Sequence, residues 1–254
     1  MLPVVRSLLP GPTGEPALER HRLEQHYALP PAPARHVRAN FVTTLDGAIE
    51  IDGRSGSLGG DGDTAVFHLL RELTDVVLVG AGTARAEGYG AAVMPDARQG
   101  RRLAAGQLPV PPIAVVTGRG IEADLPLLTP VSGAPQPLVL TTAAAAAQAP
   151  DVVRRRAELV VCGEETVDLA RLLDELAARG LYRVLCEGGP ALFSDLTRAD
   201  LVDELCLTLS PTLAGPDHKR LIVGQRWNAA QRLTLAGGLE DNGDLLLRYS
   251  RYSR

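Results

Sequence analysis

Two glycine-rich turns, each following a short all-apolar run, have the composition of anion-binding sites. GAGTARAEG (Gly80–Gly88) follows Val76–Val79, and CEGGPAL (Cys186–Leu192) follows Val184–Cys186. Backbone amides at the carboxyl end of a buried strand can approach a phosphate where no Cβ intervenes. In the first turn Arg85 stands where the third glycine of G-x-G-x-x-G belongs, so Gly80-x-Gly82 alone fits a tight strand-to-helix turn equally well. Thr83 and Glu87 add a hydroxyl and a carboxylate suited to a ribose or an amide. In the second turn Gly188-Gly189 precedes Pro190, a residue favoured in a first helical turn. That helix start contributes about half a positive charge. Glu187 is placed either to cap the amides or to receive a ribose hydroxyl. Together the turns favour a diphosphate-bearing cofactor.

A third run, IAVV (Ile113–Val116), ends in Thr117-Gly118-Arg119. The arginine fork matches the 2′-phosphate that separates NADP from NAD, and a solvated arginine is the competing reading. Arg101 and Arg102 are weaker candidates, expected in a surface loop. Upstream, Asn40, Val42 and Thr44 share one face of a strand over Val37–Leu45. A buried amide and hydroxyl there need partners, which a heterocyclic substrate supplies. Asp46 precedes Gly47 and either holds that turn or relays a proton. No Ser/His/Asp or Cys/His arrangement is visible. His68 falls in a helix, against the core or at its edge.

These groups must be positioned by alternating elements. Thr64–Leu73 carries Val66, Leu69, Leu70 and Leu73 as a helical stripe, with Asp63 as the expected N-cap. Leu138–Leu140, Leu159–Val161 and Glu204–Leu209 read as further strands. Asp168–Arg179 is the clearest helix, with leucines on one face and Gly180 beyond it. Arg232–Ala236 and Leu245–Tyr249 flank Asp241-Asn242-Gly243, a hairpin signal. About nine strands with interleaved helices and an antiparallel end predict one α/β domain with a mixed sheet over residues 37–254. Residues 1–36 hold seven of the 19 prolines and read as an arm with one short helix over Glu15–Tyr27.

Composition limits the partners. The chain has 254 residues, 45% hydrophobic and 22% charged, with a net charge of −4, which argues against a nucleic-acid footprint. No apolar run approaches a membrane span, and residues 1–9 are too short an apolar stretch for a secretory signal. Cys162, Cys186 and Cys206 sit in apolar surroundings without metal-ligand spacing, as buried free thiols of a cytoplasmic protein do. No metal site is expected. Lys219 is the sole lysine, so lysine-based covalent chemistry would rest on that residue. Nine aromatic residues leave the core to leucine, valine and alanine.

TTLDGAIEIDGRSGSLGG, FHLLRELTDVVLVGAGTARAEG, LVVCG, RVLCEGGPALF, ADLVDELCLTLSPTLAG and a terminal DLLLRY occur in that order. The set resembles the riboflavin-biosynthesis reductase family, which is structurally related to dihydrofolate reductase, from about Val37 to Tyr249. The resemblance implies a three-layer sandwich with a mixed, mostly parallel central sheet, NADPH as cofactor, and a homodimer. Thr83, Glu87, Val161, Cys162, Glu187, Gly188, Gly189 and Pro190 match positions that line the dinucleotide. Relatives commonly carry Asp at the position of Glu87, often followed by Asp-Pro, where this chain has Gly88-Tyr89. The bifunctional relatives place an aromatic near the substrate after the L-D-G turn, and Ser57 replaces it here, predicting a remodelled pocket. The H-x-E and P-C-x-x-C elements of the zinc deaminase half are absent. The expected activity is NADPH-dependent reduction of 5-amino-6-ribosylamino-pyrimidinedione 5′-phosphate to its ribitylamino form. Dihydrofolate is the alternative substrate, and a non-catalytic nucleotide-binding protein the alternative class.

Overall fold

The computed structural model describes residues 19–251. In chain order the elements are α1 (Arg20–His26), β1 (His36–Thr44), α2 (Asp61–Leu73), β2 (Val76–Gly80), α3 (Ala81–Ala86), α4 (Asp96–Ala104), β3 (Ile113–Val116), β4 (Leu138–Thr141), α5 (Ala143–Ala147), α6 (Asp151–Arg156), β5 (Glu158–Val161), α7 (Leu169–Ala178), β6 (Arg183–Cys186), α8 (Pro190–Arg198), β7 (Glu204–Ser210), β8 (Thr234–Asp241) and β9 (Asp244–Ser250). The nine strands form one sheet in the order β5-β4-β3-β2-β6-β1-β7-β9-β8. Pairing is parallel from β5 through β7, and antiparallel where β9 meets β7 and β8. The expected α/β architecture with a mixed, mostly parallel sheet is the observed one.

Alternation along each strand builds two cores. Val76 and Leu78 of β2, with Val184 and Cys186 of β6, face α7 and α8. Val77 and Val79 face the opposite layer with Ala84 of α3 and Val153 of α6. On that same side Leu185 and Cys206 meet Val66, Leu69 and Leu70 of α2 and Tyr27 just after α1. Helices on both faces of the sheet make the three layers. Cys162, Cys186 and Cys206 are free and buried.

Local signals explain the element ends. The Asp168 carboxylate accepts from the amides of Ala170 and Arg171, capping α7. Gly180 ends that helix at φ +77, with its amide bonded to Ala177 O. Asn242 and Gly243, both at positive φ, make the β8–β9 hairpin turn.

Two expectations are corrected. The cap position of α2 is Gly60 rather than Asp63, which lies inside the first turn with its side chain against β7. Arg101 and Arg102 lie on α4 rather than in a surface loop, and Arg102 is 1% exposed. Arg102 donates to the carbonyls of Leu108, Glu72 and Thr74 at 2.8, 2.7 and 2.5 Å, satisfying the end of α2. Arg101 pairs with Glu72. Of the helix expected over Glu15–Tyr27, residues 15–18 lie outside the described residues.

Candidate functional site

β2 and β6 are neighbours, yet β2 leads into α3 on one face and β6 into α8 on the other. Open α/β sheets form their ligand crevice at such a divergence. Here a cleft of about 850 Å³ opens at the carboxyl ends of β1, β2 and β6.

The two glycine-rich turns meet at its floor. Gly80 N donates to Gly188 O at 2.7 Å, and the Gly188–Gly189 peptide is cis. Gly188 has φ +91, and a Cβ on it would lie 3.0 Å from the Phe41 ring. A Cβ on Gly189 would overlap Thr83 Oγ1. The glycine pair is therefore required first by the protein's own packing. Gly80, Gly82, Thr83, Gly189 and Pro190 all reach the cleft wall. Neither α3 nor α8 has a side-chain cap, which leaves their first amides facing the turn region.

Glu187 is buried, and its two oxygens are held from within the protein. Arg71 donates to both of them at 2.7 Å, and Tyr89 Oη donates to Oε2 at 2.6 Å. The Arg71 guanidinium also lies 4.4 Å from the Phe67 ring centroid and 5.7 Å from that of Tyr89. Burial works against the Arg71 charge, but Glu187 more than offsets it and raises the pKa. Burial, followed by Glu187, pushes the Tyr89 phenol well above its ordinary value, so it stays a donor.

Glu87 accepts from Ser55 N at 3.1 Å and from Ser55 Oγ at 3.0 Å, tying the loop after β1 to the end of α3. Ser55 lines the cleft, whereas Ser57 is exposed and outside the wall. Asn40 lines the cleft beside Val42. Thr44, on the same strand face, is buried and bonded to Asp46 and to Ala48 N. Asp46 also accepts from Ala214 N and Gly215 N, outside the cleft wall. Thr44 and those amides lower its carboxyl to about 2, so at neutral pH it is ionised and holds the turn.

Thr117 and Arg119 follow β3, while Val161 ends β5 and Cys162 follows it, further along the same sheet edge and outside the cleft wall. Thr117 Oγ1 donates to Gly120 O at 2.7 Å and accepts from Arg119 N, while the Arg119 side chain is exposed. Cys162 is buried, and burial pushes its thiol up to about 11.

Sequence reasoning missed Asp63, Phe67, Arg71, Tyr89 and Lys219 as cleft residues. A signal for three of them existed. Asp63, Phe67 and Arg71 recur at i, i+4 and i+8 beside the leucine stripe of α2, which places them on one face. Nothing local marks Tyr89 as a partner of Glu187. Among the described residues no group of His, Cys, Asp or Glu has an arrangement that could hold a metal ion. None of the described helices is long and apolar enough to cross a membrane.

A 2,5-diamino-6-ribosylamino-4(3H)-pyrimidinone 5′-phosphate reductase from Archaeoglobus fulgidus is 30% identical over 182 residues, 71% of this chain and 82% of the relative. A protein of the same name from Methanothermobacter thermautotrophicus is 29% identical over 220 residues, 85% and 97% of the two chains. Among solved structures, a pyrimidine reductase-like protein from Corynebacterium diphtheriae superposes with a TM-score of 0.73 at 25% identity, covering 90% of this chain and 97% of that one. The riboflavin biosynthesis reductase Rib7 of Saccharomyces cerevisiae shares the fold, with a TM-score of 0.61 at 17% identity over 90% and 97% of the two chains. Residues 35–247 match the RibD C-terminal domain, and the chain belongs to that family.

Proposed function

We propose that this chain is an NADPH-dependent reductase of riboflavin biosynthesis. Its substrate is a 5-amino-6-ribosylamino-pyrimidine 5′-phosphate, which leaves as the ribitylamino form. The observation that carries the reading is the cleft at the β2/β6 divergence, with two uncapped helix starts and a glycine floor. Family membership and the names of the archaeal relatives support the substrate class.

The residues fit a dinucleotide. A Cβ on Gly82 would meet nothing within 4 Å, so there is open space above the first turn. Gly82 and Thr83 at the start of α3, and Gly189 and Ala191 at the start of α8, would hold the diphosphate through backbone amides and the helix field, with Pro190, which has no N–H, fixing the first turn of α8 beside it. Thr117, Arg119, Val161 and Cys162 lie along the edge that the adenosine end would follow, with Arg119 set for a 2′-phosphate. When bound, NADPH supplies a hydride to the imine-like carbon of the substrate.

This chain's own residues orient the substrate and exclude water. Phe67, Val42 and Ile49 give the cleft an apolar lining. Arg71 and Tyr89 hold Glu187 fixed, and Ser55 and Glu87 hold the loop after β1 over the site. Asn40 offers an amide to the heterocycle, while Thr44 and Asp46 shape the turn behind it. The proton that completes the reduction reaches the developing amine from water. Three buried free thiols fit a reducing cytoplasm, and the family resemblance supports a homodimer.

The test is protein-dependent NADPH oxidation with the pyrimidine phosphates and with dihydrofolate. Turnover of a pyrimidine phosphate is expected. Cofactor binding with no turnover of any of them would leave a nucleotide-binding protein instead. Arg119→Ala should narrow the preference for NADPH over NADH, and an unchanged ratio would return Arg119 to the solvated surface.

A further inference from the structure

Residues 211–233, between β7 and β8, contain no helix or strand of their own. A connection of that length in a compact domain is uncommon unless it serves a site. One side of this strap is fastened to the loop after β1. Leu45 N donates to Thr212 O at 2.9 Å, Ile49 N donates to Lys219 O at 3.1 Å, and Asp46 accepts from the amides of Ala214 and Gly215. These bonds carry Lys219 into the cleft wall beside Ile49 and Glu50, where its ammonium lies 2.9 Å from Glu50 Oε2. The Lys219 side chain is 61% exposed, so its charge is open to an anionic substrate.

The other side of the strap is fastened to α8. Ser194, 4% exposed, stands one turn after Pro190. Its Oγ donates to Pro190 O at 2.7 Å and accepts from Val223 N at 2.9 Å. A hydroxyl has one proton, and Pro190 takes it, so Oγ meets the strap as an acceptor only. Gln231 donates to Thr197 O at 2.8 Å further along the same helix. Pro190 lies in the cleft wall, so the carbonyl that orients Ser194 belongs to the turn on which the dinucleotide would rest. We propose that Ser194 is a positioning residue: it latches the strap to the cofactor helix, so that a dinucleotide on the first turn of α8 fixes Lys219 for the substrate. This deepens the reductase reading and rests on it. Coupling between two ligands requires a contact that differs between their bound and free states, and a hydroxyl bonded to both the first turn and the strap supplies one.

Trp227, the one tryptophan of the chain, lies on the strap against Ser194, Asp195 and Arg198, so its emission reports the latch without turnover. Titration of the wild type with NADP⁺ should shift that emission to saturation. In Ser194→Ala the emission should start red-shifted and stay there, while calorimetry still finds NADP⁺ bound. Kinetics gives a second readout. Ser194→Ala should raise KM for the pyrimidine phosphate about 5-fold and hold kcat within about 2-fold, the signature of binding lost equally from ground and transition states. Lys219→Met should raise the same KM, and the double variant should raise it no further, because Ser194 acts through Lys219. Ser194→Thr keeps the hydroxyl and should restore both readouts. Should that variant not fold, trypsin serves instead: with no cofactor present it should cut after the exposed Arg226 of the strap faster in Ser194→Ala than in the wild type.

Pyrimidine turnover with a KM that Ser194→Ala leaves unchanged would overturn the latch and leave the reductase standing. KM losses of Ser194→Ala and Lys219→Met that multiply in the double variant would overturn it too, since the two residues would then act apart. A Trp227 shift that follows NADP⁺ and vanishes in Ser194→Ala, with no turnover of any substrate, would uphold the latch and overturn the reductase.

Discussion

Tyr89 Oη donates to Glu187 Oε2 at 2.6 Å, closing onto a carboxylate that Arg71 already holds through two bonds of 2.7 Å. One side chain comes from the loop after α3, one from the end of β6 and one from α2, so the trio fastens three elements around the cleft. Tyr89→Phe removes one bond to a charged acceptor and should cost about 1–2 kcal/mol. Arg71→Met strands the buried carboxylate and should cost about 3–5 kcal/mol. Urea denaturation measures both, and equal losses would contradict the ranking.

Glu204 sets the acid limb of stability. Burial pushes its carboxyl up, but His36, Arg38 and Arg248 pull it further down, to about 2. Its folded pKa lies below the unfolded value near 4.5, so the stabilisation is present above pH 4.5 and is lost as the pH falls through about 2. The depression of roughly two and a half units corresponds to on the order of 3 kcal/mol. Glu204→Gln should flatten the stability profile between pH 5 and 2, while lowering stability at neutral pH because Arg38 loses its buried partner. A mutant profile as steep as the wild type would assign the acid sensitivity to other carboxylates.

Gly189→Ala should destabilise by about 1–3 kcal/mol, because the new Cβ overlaps Thr83 Oγ1. Adding Thr83→Ala removes that atom and should restore much of the melting temperature, whereas adding Thr83→Ser should not. Thermal melts of the two double mutants decide between this contact and some other need for glycine.

Arg102→Leu should cost about 3–5 kcal/mol without altering the cleft residues, since the carbonyls of Glu72, Thr74 and Leu108 lose a donor in a buried place. Burial lowers the Arg102 pKa to about 10, which leaves it charged under ordinary assay conditions. A loss below 1 kcal/mol would mean that water replaces the guanidinium.

Asp63→Asn should raise the melting temperature. Burial raises the Asp63 pKa, so at neutral pH the ionised form costs the folded state, and the neutral amide keeps the Thr208 bond. A lowered melting temperature would mean that the charge is compensated within the protein.

Strands and helices were legible because their burial patterns are written into the chain at short range. Val76–Val79 alternates between two cores, and Leu172, Leu173 and Leu176 share one helical face. The glycine turns were legible as turns, but their reason was not. Gly188 and Gly189 are bounded by Phe41 and Thr83, residues of other elements that no local pattern connects to them. Arg102 was misplaced for a related reason: a charged residue reads as surface until the four carbonyls around it are found. Ser57 marked the loop, and the residue of that loop that lines the cleft and meets Glu87 is Ser55, two positions earlier, a contact with another element that no local pattern shows.

The sequence by itself determined the alternation of elements, the two glycine-rich turns and the family, since these depend on residue type and spacing along the chain. Only the tertiary structure decided which charges meet. β6 inserts between β1 and β2 and so carries Glu187 to Arg71, 116 positions away, while β7 beside β1 carries Thr208 to Asp63, 145 positions away. Strand order, which closes those distances, depends on how the two apolar faces pack, and no short stretch of sequence contains it.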